Sequence, residues 1–275
     1  MHESRGEIKR RMRDMLETAQ VSPKAMTALY LGLGLGLTLL RDVSGRAGIF
    51  LLFLSLLTWL LSVVLDAGFV LYCMAVRQGQ RAEYLTLFDG FDTALKIALL
   101  EITKGFFIAL WSMLFVIPGI VAIYRYRFAL YNLLENPDIG VMEAIDMSKR
   151  QTYGWKGRLF LLDMSYFPWY LLGSIPNMVY NSAIQSQIQA QFRVYLRNGG
   201  DFSNMFRAAM ESVDGSALGI PELGWTVIIG GWALVVAMFY LAHFQCVELE
   251  YFDAAKRESG VGEGSAPWER EEFYQ

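Results

Sequence analysis

An all-α integral membrane protein, built as a six-span helical bundle with cytoplasmic amphipathic helices, is the fold class that three features of this 275-residue chain predict. Hydrophobic residues make up 54% of it, with a mean hydropathy of +0.31, which is more apolar surface than a soluble domain of this size buries. The apolar residues gather into runs long enough to cross lipid, where only helices or closed barrels satisfy the backbone. Lys and Arg cluster between the runs, the pattern that sets membrane orientation.

Residues 1–22 carry Ile8, Met12, Met15, Leu16 and Ala19 at helical spacing, with Lys9, Arg10 and Arg13 on the remaining arc. This is a basic amphipathic helix, set either on an anionic leaflet or in solvent as a lead into the first span. The first apolar run starts late and has no small-residue cleavage site, so it is expected to stay as an anchor. The membrane domain is expected over 23–252. Span one, 25–40, holds Gly32 and Gly36 at GxxxG spacing, which lets another helix of the same chain come close. Span two runs over 47–76, with Ser55, Trp59, Ser62, Asp66 and Cys73 on one face; that face points inward, because Asp66 against lipid is expensive. The loop 77–104 carries four basic residues and Leu87-Phe88-Asp89-Gly90-Phe91, and reads as a cytoplasmic connection with a short interfacial piece.

The stretch 111–127, WSMLFVIPGIVAIYRYR, breaks an apolar run with Pro118-Gly119 and then meets Arg125 and Arg127. As one span, 106–124, it would put the six basic residues between 125 and 158 outside the cell. A hairpin at Pro118-Gly119 ends span three there, returns span four over 120–134, and keeps Lys149, Arg150, Lys156 and Arg158 inside. Pro137, and Glu143 three residues after Gly140, mark a helix over 136–156 resting on the cytoplasmic interface. Span five, 159–175, has Asp163 near its inner end and Pro168 to kink it. An extracytoplasmic insertion, 176–222, reads as two short helices broken at Asn198-Gly199-Gly200. Span six covers 224–247, and 253–275 is a disordered cytoplasmic tail. This arrangement puts 17 of the 24 Lys and Arg inside and 5 outside, with both termini on the cytoplasmic side of the cell membrane.

Cys73 and Cys246 sit in apolar runs and form no CxxC; His243, Cys246 and Glu250 share a helix face, but one helix without a second contributing motif makes no metal site. No GxSxG, P-loop or dinucleotide fingerprint is present, so no catalytic residue, metal or cofactor is expected and the chain is not read as an enzyme. A net charge of -3 suggests no nucleic-acid partner. The candidate site is intramembrane and polar: Asp66, Arg125, Arg127 and Asp163. Arg125 and Arg127 lie about 200° apart on a helix, so both face one cavity only if the helix unwinds. At least one of the two aspartates is expected to pair with one of the arginines. Two functions follow: a non-catalytic organiser or regulator of membrane partners, or a transporter or lipid-handling protein using Asp66 and Arg125/Arg127. The expected partners are the lipid bilayer, anionic lipid headgroups and other membrane proteins.

Ile117-Pro118-Gly119-Ile120, Arg125-Tyr126, Tyr131, Glu135-Asn136-Pro137, Glu143-Ala144-Ile145 with Ser148, Gly154, Leu159-Phe160, Leu162-Asp163, Ser165, Trp169 and Leu171-Leu172 together resemble the domain of unknown function 975 family. Ile8-Lys9, Met12-Arg13 with Leu16, and the Leu87 to Phe91 segment are similar to its other signatures. The polar block 181–222 is longer than the family's usual connection. The resemblance implies a multispan bacterial membrane protein and no activity.

Overall fold

A computed structural model describes residues 5–43, 48–197 and 216–263, where every regular element is helical apart from one antiparallel bridge, Ala217 to Ile220. In chain order these are α1 Arg5–Glu17, α2 Pro23–Val43, α3 Gly48–Arg77, a 3₁₀ segment Tyr84–Thr93, α4 Ala94–Leu114, α5 Val116–Arg125, α6 Ala129–Glu135, α7 Val141–Gln151, α8 Lys156–Arg197, α9 Glu222–Ala237 and α10 Leu241–Ser259.

Four helices form an antiparallel layer. Tyr30 of α2 stacks on Phe69 of α3 with ring centroids 4.9 Å apart, and Tyr72 of α3 donates to the Val21 carbonyl at 2.9 Å. Along the opposite side of α2, Gly32 faces Leu234, a side chain at Gly230 would run into Leu35, and Thr226 donates to Asp42 at 3.1 Å, so α9 runs antiparallel to α2. α8 runs antiparallel to α9, with Trp232 bonded to the Leu172 carbonyl and Tyr180 against Trp225. Among the described residues three helical segments are long and apolar enough to cross a membrane, in α2, in α3 and over Tyr84–Leu114 with α4, and four if α9 and α10, bent by 55° at Met238–Tyr240, count as one; this is fewer than the six expected. The shortfall falls on the expected spans four and five: neither the ten-residue α5 nor the first part of α8 is among these segments, whereas the expected span three lies within Tyr84–Leu114.

The hairpin of α4 and α5 turns at Phe115, three residues before Pro118-Gly119. A proline ring excludes the carbonyl four residues back from helical geometry, here Leu114, so α4 stops at Leu114 and Phe115 adopts φ −162°, ψ 157°. Pro118 then sits in the first turn of α5, where a missing N–H leaves no bond unmade. A side chain at Gly119 would overlap Ser112, so the glycine is what lets the returning arm cross so closely. Phe107 and Tyr126, far apart in sequence, have ring centroids 6.1 Å apart at the hairpin base. The tip is bare: Met113 is 85% and Phe115 75% exposed, with Val116 and Ile117 alike. From Lys104 to Leu114 the arm rises about 15 Å at 1.5 Å per residue, half the thickness of a hydrocarbon core.

α8 does not end at Pro176 or kink into separate pieces, but runs as one helix through Pro168 and Pro176 to Arg197. Pro176 frees the Leu172 carbonyl, and Trp232 Nε1 donates to that oxygen at 2.8 Å, so the backbone loss is made good from α9. The first of the two expected insertion helices is therefore the end of α8; the second falls outside the described residues.

At the other end of the layer the surface becomes charged. α1 docks by Met12 and Leu16, both buried, rather than lying free: Lys9 donates to Ser165 at 2.8 Å, His243 to the Lys9 carbonyl at 2.7 Å, and Arg11 pairs with Glu250 at 2.8 Å. Burial, with Arg5 adding repulsion, holds the Lys9 ammonium below its usual pKa. α7 likewise packs by Ala144, Ile145 and Ser148 on the bundle, and the Glu143 carboxylate accepts from the Gly140 N–H at 3.5 Å, the contact its spacing predicts. The residues from Asp253 to Ser259, expected in a disordered tail, complete α10: Asp253 binds Arg77, and Lys256 binds Glu135 at 2.8 Å with both side chains buried. Charge reads as solvated in sequence, and only the partners from α3 and α6 reveal it as buried. Residues 264–275 of that expected tail are outside the described residues.

Candidate functional site

Arg127 lies in the turn between α5 and α6, which frees its side chain from the register of Arg125. Its guanidinium makes two forked bonds. Nε and Nη2 donate to Glu248 at 2.6 and 2.9 Å, and Nη1 and Nη2 to Asp163 at 2.7 and 2.9 Å, so one cation holds two carboxylates from α10 and α8. The acids have further donors: the Tyr124 hydroxyl to Asp163 at 2.8 Å and the Tyr131 hydroxyl to Glu248 at 2.8 Å, with Gln245 donating to Tyr131 at 2.9 Å. Glu248 is the deepest member, its side chain 3% exposed. In that setting an unpaired carboxylate would be costly, and the fork explains why it is tolerated.

Arg127 and Glu248 also line a cavity of about 440 Å³ between α3, the hairpin and α10, together with Asp66, Glu101, Lys104 and Tyr30. Its acidic and basic groups are unevenly matched. Glu101 pairs with Lys104 at 2.6 Å and Glu248 with Arg127, whereas Asp66 accepts a hydrogen bond from the neutral Tyr30 hydroxyl. Asp66 stands where the 3₁₀ segment lies across α3, an approach that Gly68 and Gly90 permit because a side chain at either would strike the opposing backbone. Above this level α3 exposes Ile49, Leu52 and Phe53; below it Val70, Tyr72 and Met74 are buried, so the cavity sits at the lower edge of the apolar layer.

Of the four residues singled out from sequence, Asp163 and Arg127 are in contact, Asp66 shares the cavity with Arg127, and Arg125 stands apart. Arg125 lines a separate cavity inside the hairpin with Trp111, Pro118 and Val121, while its carbonyl accepts from Ser148 at 2.9 Å and Thr152 at 3.3 Å. Sequence reasoning missed Glu248, Glu101, Lys104 and Tyr30. Glu248 carried a signal, a carboxylate following the apolar run of span six, but its heptad neighbours gave no hint of a partner 121 residues away. His243, Cys246 and Glu250 do not converge: His243 bonds Tyr166 and the Lys9 carbonyl, Cys246 adjoins Cys73, and Glu250 takes Arg77. Among the described residues no cluster with metal-ligand composition occurs.

No curated protein and no solved structure matches the chain. The stretch that holds the returning arm of the hairpin, Arg127, α7 and Asp163 does match a family model, over residues 114–199, that of the family described as protein of unknown function (DUF975).

Proposed function

We propose that this is a multi-pass cell-membrane protein that binds an amine, either the ammonium of a lipid headgroup or a small free amine, in the cavity beside Asp66, and handles or passes it without catalysis. The observation that carries this reading is the mismatch within the cavity: its other two carboxylates are paired with cations, and Asp66 has a neutral hydroxyl. A cationic ligand supplies the missing charge, and about 440 Å³ accommodates a small molecule or headgroup. A solid bundle with every charge paired would have supported the organiser reading instead; the cavity favours the transporter or lipid-handling one.

The reading includes four crossings, by α2, α3, α8 and α9; the segment with α4 is apolar enough to cross, but Glu101 and Lys104 leave only about ten uncharged residues before its tip, so the α4–α5 hairpin enters part of the way. The charged end, with α1, α7 and α10, then faces the cytoplasm together with both termini, as the clustering of basic residues requires. The cavity lies at headgroup depth in this arrangement.

The test is thermal unfolding of the purified full chain in nanodiscs of phosphatidylcholine with and without added phosphatidylethanolamine, and in detergent with and without ethanolamine. Either amine should raise the midpoint for the natural protein and not for Asp66→Asn. Equal response of the two proteins, or none in either, rejects the amine site.

A further inference from the structure

A second cavity, of about 570 Å³, opens where α1 ends, α2 begins and α9 bends into α10. It shares no lining residue with the Asp66 cavity. Its charged lining is Arg13, Lys24 and Glu17, with Gln20 and Ser22 as neutral polar groups. The fourth ionisable wall residue, His243, has both ring nitrogens engaged: Nε2–H donates to the Lys9 carbonyl and Nδ1 accepts from the Tyr166 hydroxyl, each at 2.7 Å, so it braces the wall as a neutral ring. The lining therefore carries one net positive charge, the complement of a phosphodiester.

The remaining wall is apolar: Leu16, Met238, Phe239, Tyr240 and Ala242. Lys24 Nζ stands 5.3 Å from the Phe239 ring centroid, which holds the ammonium at the cavity and its stem against the aromatic face. Tyr240 stacks on Trp169 of α8 at 5.7 Å, and such amphipathic rings settle at the water–lipid boundary. From Phe239 an exposed stripe runs up α9 through Val235, Trp232 and Ile228. These positions follow one another at helical spacing over about 16 Å, close to the depth of one leaflet's hydrocarbon.

We infer that this cavity is a binding site for a phosphate monoanion carried by an anionic phospholipid, with Arg13 and Lys24 on the phosphate and an acyl chain along the Phe239 to Ile228 stripe. The same phosphate chemistry is offered by inorganic phosphate, but only a lipid uses the apolar wall and the stripe beyond it.

The experiment is native mass spectrometry of the full chain released from nanodiscs of equal phosphatidylglycerol and phosphatidylcholine, repeated with excess inorganic phosphate. One phosphatidylglycerol should be retained in preference to phosphatidylcholine and should resist phosphate. Arg13→Gln with Lys24→Gln should weaken retention roughly 30-fold, about fivefold for each cation near a membrane surface, while Lys24→Arg keeps most of it. If the double variant does not fold, Phe239→Gln gives the same reading from the apolar side, keeping both cations yet lowering retention. No preference for phosphatidylglycerol, or unchanged retention in the variants, overturns the site. Displacement of the lipid by inorganic phosphate overturns the lipid as its occupant.

Discussion

Arg127 shows how a charge at the edge of an apolar layer becomes structural. It holds Glu248 and Asp163 by two forked pairs of hydrogen bonds, and each acid has a tyrosine hydroxyl as well, so both carboxylates are hydrogen-bonded twice over, yet the cluster retains one excess negative charge. Removing the arginine leaves two carboxylates facing each other, whereas neutralising Glu248 leaves a balanced Arg127–Asp163 pair. Arg127→Ala should therefore cost about 3–5 kcal/mol, the cost of breaking a buried pair from one side, and Glu248→Gln distinctly less. Combining them should cost less than the sum of the single changes, read as unfolding midpoints in detergent. Strict additivity would mean that the fork contributes nothing jointly.

Among the elements, the α4–α5 hairpin depends on a single missing side chain. Because a Cβ at Gly119 would overlap Ser112, Gly119→Ala should push the arms apart and lower stability by about 1–3 kcal/mol, as overpacking does elsewhere. Ser112→Gly in the same chain should restore part of that loss, because the overlap is chiefly with the serine hydroxyl. An undiminished effect in the double variant would place the strain in the backbone of α5 rather than between the arms. The prolines of α8 teach the reverse lesson, since Trp232 takes up the carbonyl that Pro176 leaves and the helix continues. A breaker stops a helix only where nothing replaces the bond.

For the whole molecule, the antiparallel layer and the proposed half-depth placement of the hairpin give a topology that labelling can check. Tyr153 is exposed at the charged end and Ser186 is exposed beyond the far end of the apolar layer, while the two natural cysteines are buried and will not compete. In intact cells an impermeant thiol reagent should react with Ser186→Cys and spare Tyr153→Cys. Val116→Cys, at the hairpin tip, should be spared in intact cells and in inverted vesicles alike. Reaction of Val116→Cys from outside would mean that the hairpin crosses completely, which would return the count to six spans.

Composition, periodicity and the placement of charge determined that the chain is helical and membrane-grade, that α1 is amphipathic with Met12 and Leu16 on its apolar face, and that the central stretch doubles back near Pro118. Each of these is read from the sequence: apolar content, a 3.6-residue period, the backbone chemistry of proline, and the clustering of Lys and Arg that selects a hairpin over a single span. Tertiary structure decided the rest. Whether Pro176 ends a helix depends on a tryptophan 56 residues later; whether Asp253 and Lys256 are tail or core depends on Arg77 and Glu135; and which arginine meets Asp163 depends on a turn that releases Arg127 alone. Charges and carbonyls are costly only while unpaired, and the groups that pair them here come from distant parts of the chain, where no sequence window can see them.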